Sequence, residues 1–275
     1  MLGKLIGHEF KITARYFIPM YICLGVVTLL LKLSWFFTVD SDVIFMGSTD
    51  SFLNLLNVLL ITIYVIVIIA IILLTYFIIL RRFYTNMFSD EGYLMFTLPV
   101  TTKQLINSKL IVAFIWQFLM IPAMCLSFFI LFVNTDILRE LPYVWNTLME
   151  EIHILNISGF QIWLIIGEFA VVFLTEMLLF ILLCYLSMTI GQQFLTEHRL
   201  LGSVLAFLAI YTIESLITSL ITMVTGNISV ELMTFQDFSR YFNTVLPLAI
   251  ITDLIYIIIY YVIVHHLLDK KLNLN

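Results

Sequence analysis

From Ser51 to Leu80 the chain runs without a single Asp, Glu, Lys, Arg or His, and most of its residues are Ile, Leu, Val or Phe. No water-soluble domain of ordinary size can bury so long an apolar run on every side. A bilayer can, because a helix crosses its hydrocarbon with roughly 20 apolar residues. Within that hydrocarbon every backbone N–H and C=O must be satisfied internally, so only helices and closed barrels span it. The run lacks the period-2 alternation of a barrel strand, which leaves the helix. Comparable runs recur along the 275 residues, of which 62% are hydrophobic and 11% charged. Soluble domains carry about 25% charged residues. The sequence therefore predicts an all-α integral membrane protein.

Six spans are predicted, over about 16–38, 52–80, 104–133, 159–190, 200–225 and 244–268, forming one transmembrane domain over 1–275. The second and fourth exceed the bilayer thickness, so they tilt or continue beyond it as helix. The first residues, "MLGKLIGHEFKITAR", have their basic side chains spread through them and lead into a run long enough to remain as a span, unlike a cleavable leader. With both termini inside, the inner segments hold Lys4, Lys11, Arg15, Arg81, Arg82, Lys103, Lys109, Arg199, Lys270 and Lys271. The outer side then holds Lys32, Arg139 and Arg240, a bias of ten to three in the positive-inside sense. Trp35, Trp145 and Trp163 fall near the outer interface, as an aromatic belt would place them.

Two further stretches have helical amphipathicity. Leu2, Leu5, Ile6 and Phe10 share one face near the N-terminus, with Lys4, His8, Lys11 and Arg15 mostly opposite. This predicts an interfacial helix on the inner leaflet that leads into the first span. Ile137, Leu141, Val144, Trp145, Leu148 and Ile152 repeat at three-to-four spacing and predict a second surface helix on the outer side.

The segment "SDEGYLMFTLPVTTKQLINSKL", Ser89–Leu110, lies between the second and third spans. Its second half has the residues of a helix start. Thr101 suits the N-cap and Gln104 the third helical position, a capping box, and Val100 and Leu105 occupy the positions of a hydrophobic staple. Pro99 cannot donate to a preceding helix and biases Leu98 to extended backbone, so the chain turns a fixed corner there. In the first half Ser89 or Asp90 can cap a short helix, with Glu91 in its first turn where the dipole favours an acid. Gly92 gives room for a bend, and Tyr93, Leu94 and Phe96 supply an apolar patch. Taken alone, the patch could pack on lipid as a simple turn or dock on a protein.

"EGYLMFTLPVTTKQLINSK" resembles the signature segment of ABC-2 type permeases. The pattern is an acid, a Leu-rich stretch, Leu-Pro, a hydroxyl residue, a Leu and a Lys one turn on; here they are Glu91, Leu94, Leu98, Pro99, Thr101, Leu105 and Lys109. The organisation of the chain, with an amphipathic N-terminal helix and six spans, is similar as well. The resemblance implies that Ser89, Asp90, Glu91, Gly92, Tyr93, Leu94 and Phe96 form a cytoplasmic coupling helix that docks on an ABC ATP-binding subunit, with Pro99, Thr101 and Gln104 as its elbow. It also implies a bacterial plasma membrane location and a second permease copy, giving a homodimer or heterodimer. No G-x-x-x-x-G-K-[ST] occurs, so ATP and Mg would belong to the partner ATPase subunit and this chain would carry no cofactor or enzymatic activity of its own.

Acids within the spans are costly, and usually face a bundle interior or a water-filled cavity. Glu168 and Glu176 fall in the fourth span, Glu214 in the fifth and Asp253 in the sixth, with Lys32 as the basic residue that could reach them. They read either as the lining of a translocation pathway or as protonated, hydrogen-bonded structural groups. The 24 Phe and 13 Tyr, without a large outer domain, suit an amphipathic or hydrophobic cargo. Small peptides of the kind handled by phenol-soluble modulin exporters come first, lipid-like drugs second. An ion-coupled secondary transporter is the alternative, although Pro19, Pro122 and Pro247 do not sit as in repeated broken helices.

The other polar candidates are weaker. Cys23, Cys125 and Cys184 have neither disulfide nor metal spacing. His265 and His266, being adjacent, point to different helical faces. "EEIHILN" lies in an outer loop, and Asn156 and Asn227 open outer N-x-[ST] sequons. Nothing points to nucleic acid.

Overall fold

A computed structural model describes residues 2–41, 50–89, 92, 100–133, 135–154, 159–194, 198–225 and 245–270. Among them the elements are all helical: α1 Leu2–Ser41, α2 Asp50–Phe88, α3 Thr102–Phe132, α4 Thr135–Ile154, α5 Gly159–Phe194, α6 Arg199–Thr225 and α7 Leu246–Lys270. Six of these, all but α4, are long and apolar enough to cross a membrane. They correspond one for one to the six predicted spans.

The main differences are at the ends. α1 has 40 residues and α2 has 39. At 1.5 Å per residue each is about 60 Å long, twice the hydrocarbon thickness. In α1 the predicted amphipathic stretch and the first span form one unbroken helix that includes Pro19. Its Lys4, His8, Lys11 and Arg15 are exposed or nearly so, whereas Leu5, Ile6 and Phe10 are half-buried and Glu9 and Thr13 are buried. The stretch predicted as an outer surface helix is α4, with Leu141, Val144 and Trp145 exposed along it.

The chain divides into two compact units, one of residues 3–79 and 115–147, the other of 1–2, 80–114 and 148–275. In the first, Leu24 and Leu31 of α1, Tyr64 and Ile71 of α2, and Met120 and Leu131 of α3 form one core. Lipid is as apolar as Leu, so helices in a membrane associate through packing and hydrogen bonds rather than hydrophobic burial. Both occur here. Trp116 of α3 stacks on Phe10 and Phe17 of α1 at 4.7 and 4.4 Å. Its indole N–H donates to Thr13 Oγ1 at 2.7 Å, and Thr13 donates in turn to the Glu9 carbonyl.

Further along, Thr28, Ser127 and Tyr64 bring hydroxyls from three helices together, at 2.7 and 2.8 Å. Each hydroxyl has one proton, and Thr28 gives its own to the Leu24 carbonyl at 2.6 Å. Ser127 must then donate to Thr28, and Tyr64 to Ser127. The result is a directed chain of three hydrogen bonds whose members polarise one another.

In the second unit α5 packs against both α6 and α7. Phe83, near the end of α2, stacks on Tyr185 of α5 with ring centroids 3.8 Å apart. A Cβ on Gly191 of α5 would lie 2.3 Å from the backbone nitrogen of Ser203 on α6, so this crossing is a backbone-to-backbone approach.

Candidate functional site

Two places in the second unit involve predicted functional residues. The first is the corner between α2 and α3. Where α2 ends, the Ser89 hydroxyl donates to the Thr85 carbonyl, and the Gly92 N–H donates to the Ser89 carbonyl at 2.7 Å. The Ser89 hydroxyl thus caps the last turn of α2, while its carbonyl accepts from Gly92, which is itself helical. A Cβ on Gly92 would meet the Met87 carbonyl group at 3.0 Å, so the turn favours glycine there. At the start of α3 the capping box is formed in both directions. Gln104 N–H donates to the Thr101 carbonyl at 2.9 Å and shares its proton with Thr101 Oγ1 at 3.4 Å, while Thr101 N–H donates to Gln104 Oε1 at 3.4 Å. The staple residue Leu105 is buried and Val100 half-buried. Asp90, Glu91, Tyr93, Leu94, Phe96 and Pro99 lie outside the described residues.

Sequence reasoning had no sign of what else holds this corner. Thr102, in the first turn of α3, donates its hydroxyl to Asp269 Oδ1 at 3.0 Å, near the end of α7. The Asp269 carboxylate therefore sits at the positive end of the α3 dipole. Gln193 of α5 donates to the Leu267 carbonyl at 3.3 Å, joining α5 to the same end of α7.

The second place is an acidic group. Glu176 of α5, Glu214 of α6 and Asp253 of α7 lie within electrostatic range of one another. Asp253 is 8% exposed and accepts from Thr175 Oγ1 at 2.9 Å. Thr175 shares that single proton with the Val172 carbonyl, also at 2.9 Å. Tyr260 donates to Glu214 Oε2 at 2.8 Å. On α7, Tyr260 lies two turns from Asp253 on the same face. Tyr256 lies between them, its hydroxyl buried without a hydrogen-bond partner among the described residues. Glu176 itself is exposed and Glu214 half-buried. Such a group can take up a proton or hold an amphipathic cation by its charged end. Among the described residues no three His, Cys, Asp or Glu side chains are placed to hold a metal ion.

Two predicted residues remain. Glu168 is eight residues from Glu176, about 12 Å along α5, and half-exposed. Lys32 belongs to the first unit and donates to the carbonyls of Leu131 and Val133, each at 2.9 Å. Its ammonium thus caps the C-terminal end of α3, where the helix dipole favours a cation. Glu9, which did not stand out in the sequence as an intramembrane acid, is 3% exposed. The signal was its spacing, three residues from Ile6 and four from Leu5, which puts it on the apolar face of α1.

Comparison with known proteins finds no matching family model, no matching curated protein and no matching solved structure.

Proposed function

We propose that the chain is the membrane-spanning permease subunit of an ATP-driven exporter of the ABC-2 type. The observation that carries this reading is the capped corner at Thr101 and Gln104, which falls at the hydroxyl position of the motif that Glu91–Lys109 resembles. A passive connection on lipid needs no reciprocal cap, whereas a segment that transmits force needs a stiff joint to the helix it moves. Six apolar helices give the membrane setting, and the absence of a P-loop motif assigns ATP and Mg to a separate ATP-binding subunit. The exposed basic residues near the start of α1 suit the cytoplasmic membrane surface, and the exposed apolar residues of α4 suit the opposite one. A second permease copy completes the pathway, and an amphipathic peptide is the cargo that the sparse acids and many aromatics suit best.

The test is co-purification. Expressed with its ATP-binding subunit, the chain is expected to form a complex whose ATPase rate exceeds that of the isolated subunit. A stable, transport-active protein that associates with no ATPase overturns the reading.

One observation favours a second reading. The gathering of Glu176, Glu214 and Asp253 from three helices suits an ion-coupled carrier as well as a peptide pathway. Transport that collapses with the proton or sodium gradient and ignores ATP depletion selects the carrier.

A further inference from the structure

We infer that α2 and α3 hold a water molecule between them at the level of Thr75 and Gln117. The inference lies in the first unit and does not rest on the transport reading. Thr75 is 0% exposed and Gln117 4% exposed, and both have a buried polar atom, Thr75 Oγ1 and Gln117 Oε1, without a hydrogen-bond partner among the described residues. A lone orphan of this kind could be a tolerated defect. Two at one level of the same helix pair, one able to donate and the other to accept, make a site.

The register places them together. Tyr64 meets Ser127 and Tyr76 meets Gln117, so twelve residues forward on α2 match ten back on α3. Thr75 is next to Tyr76. Ile71 and Met120 share the core, and Thr75 and Gln117 lie one turn beyond them in the same direction. Thr75 also continues the buried stripe of Tyr64, Ile71 and Ile79 on α2, so its side chain faces inward.

The other threonines show how unusual Thr75 is. A threonine in an apolar helix usually returns its proton to a carbonyl three or four residues back. Thr28, Thr62 and Thr189 do so at i−4, Thr175 and Thr252 at i−3. Thr75, more buried than most of them, does not. An amide oxygen and a hydroxyl in hydrocarbon each cost several kcal/mol unpaired. A water that accepts from Thr75 and donates to Gln117 removes both costs, and buried waters typically make two to four such bonds.

Radiolytic labelling tests the site on the intact protein in detergent micelles, because hydroxyl radicals formed from a bound water oxidise the side chains beside it. Met120, 8% exposed and one turn from Gln117, is expected to be oxidised several-fold faster than Met87, 0% exposed. Thr75→Val and Gln117→Met are each expected to slow Met120 to the rate of Met87, and Thr75→Ser to leave it unchanged. Thr75→Val should also lower the melting midpoint by about 2–4 °C. Oxidation of Met120 in the wild type no faster than Met87 overturns the proposal, even if a substituted protein fails to fold. So does a Thr75→Val protein that melts at or above the wild type, because relief of a bare orphan hydroxyl would stabilise.

Discussion

Ser127 shows how much one side chain can carry where neither water nor hydrophobic burial helps. It accepts from Tyr64 and donates to Thr28, so it is the middle of the hydroxyl chain. Replacing an end and replacing the middle are not equivalent. Tyr64→Phe removes a donor and leaves no orphan, because Ser127 still reaches Thr28 and Thr28 still reaches the Leu24 carbonyl. Ser127→Ala leaves the Tyr64 hydroxyl, on a residue 5% exposed, with nothing to donate to at that position. Hydrogen bonds between transmembrane helices average about 0.6 kcal/mol and reach about 1.7. An orphaned buried group costs about 1–3 kcal/mol. Ser127→Ala is therefore expected to destabilise by about 1–2 kcal/mol and Tyr64→Phe by less than half of that. Melting midpoints of the two variants in detergent check the order; equal losses would mean that the three hydroxyls do not act as a chain.

At the scale of elements the α5–α6 hairpin gives the sharpest test, because its crossing is set by backbone. A Cβ at Gly191 would lie 2.3 Å from Ser203 N, 2.4 Å from Ser203 Oγ and 2.6 Å from Ser203 Cα. Gly191→Ala forces the two helices apart, and overpacking of this kind costs about 1–3 kcal/mol. Ser203→Gly removes only the Oγ contact, so the double variant should melt within a degree or two of Gly191→Ala. Full rescue would place the close contact on the side chain instead. This crossing also marks what a sequence can and cannot tell. The spans were legible because the bilayer dictates length and composition, and α4 was legible because its apolar residues repeat at helical spacing. The cap at Thr101 and Gln104 was legible because capping depends on residues three apart. Gly191 carried no such mark, since nothing local says that Ser203 crosses there. Lys32 is a like case: its depth was readable, but the carbonyls it reaches are about a hundred residues on. Thr175 and Tyr260 were missed beside Asp253 and Glu214 because helical spacing gives faces, not neighbours.

For the whole molecule the proposed reading requires that a partner's movement reach the helices through Ser89–Thr101, and two substitutions bear on that segment alone. Glu91→Lys reverses a charge at the proposed docking surface, where setting like charges against each other costs several kcal/mol and so tens-fold or more in affinity or coupling. Leu94→Pro removes a backbone donor where the short helix is expected. Neither residue is a member of the hydroxyl chain around Ser127 or of the α5–α6 crossing, so the melting midpoint of the isolated chain should change by less than about 2 °C. Their effect should appear in the complex. ATPase stimulation and transport are both expected to fall at least tenfold, with membrane insertion unchanged. Ser127→Ala provides the opposite pattern, a lower melting midpoint with the ATPase-to-transport ratio retained at permissive temperature. The pair of patterns separates force transmission from stability, since a segment that merely holds the fold together would lower melting and transport in step. If Glu91→Lys and Leu94→Pro both transport at the wild-type rate, the segment is a turn on lipid and the force must enter elsewhere.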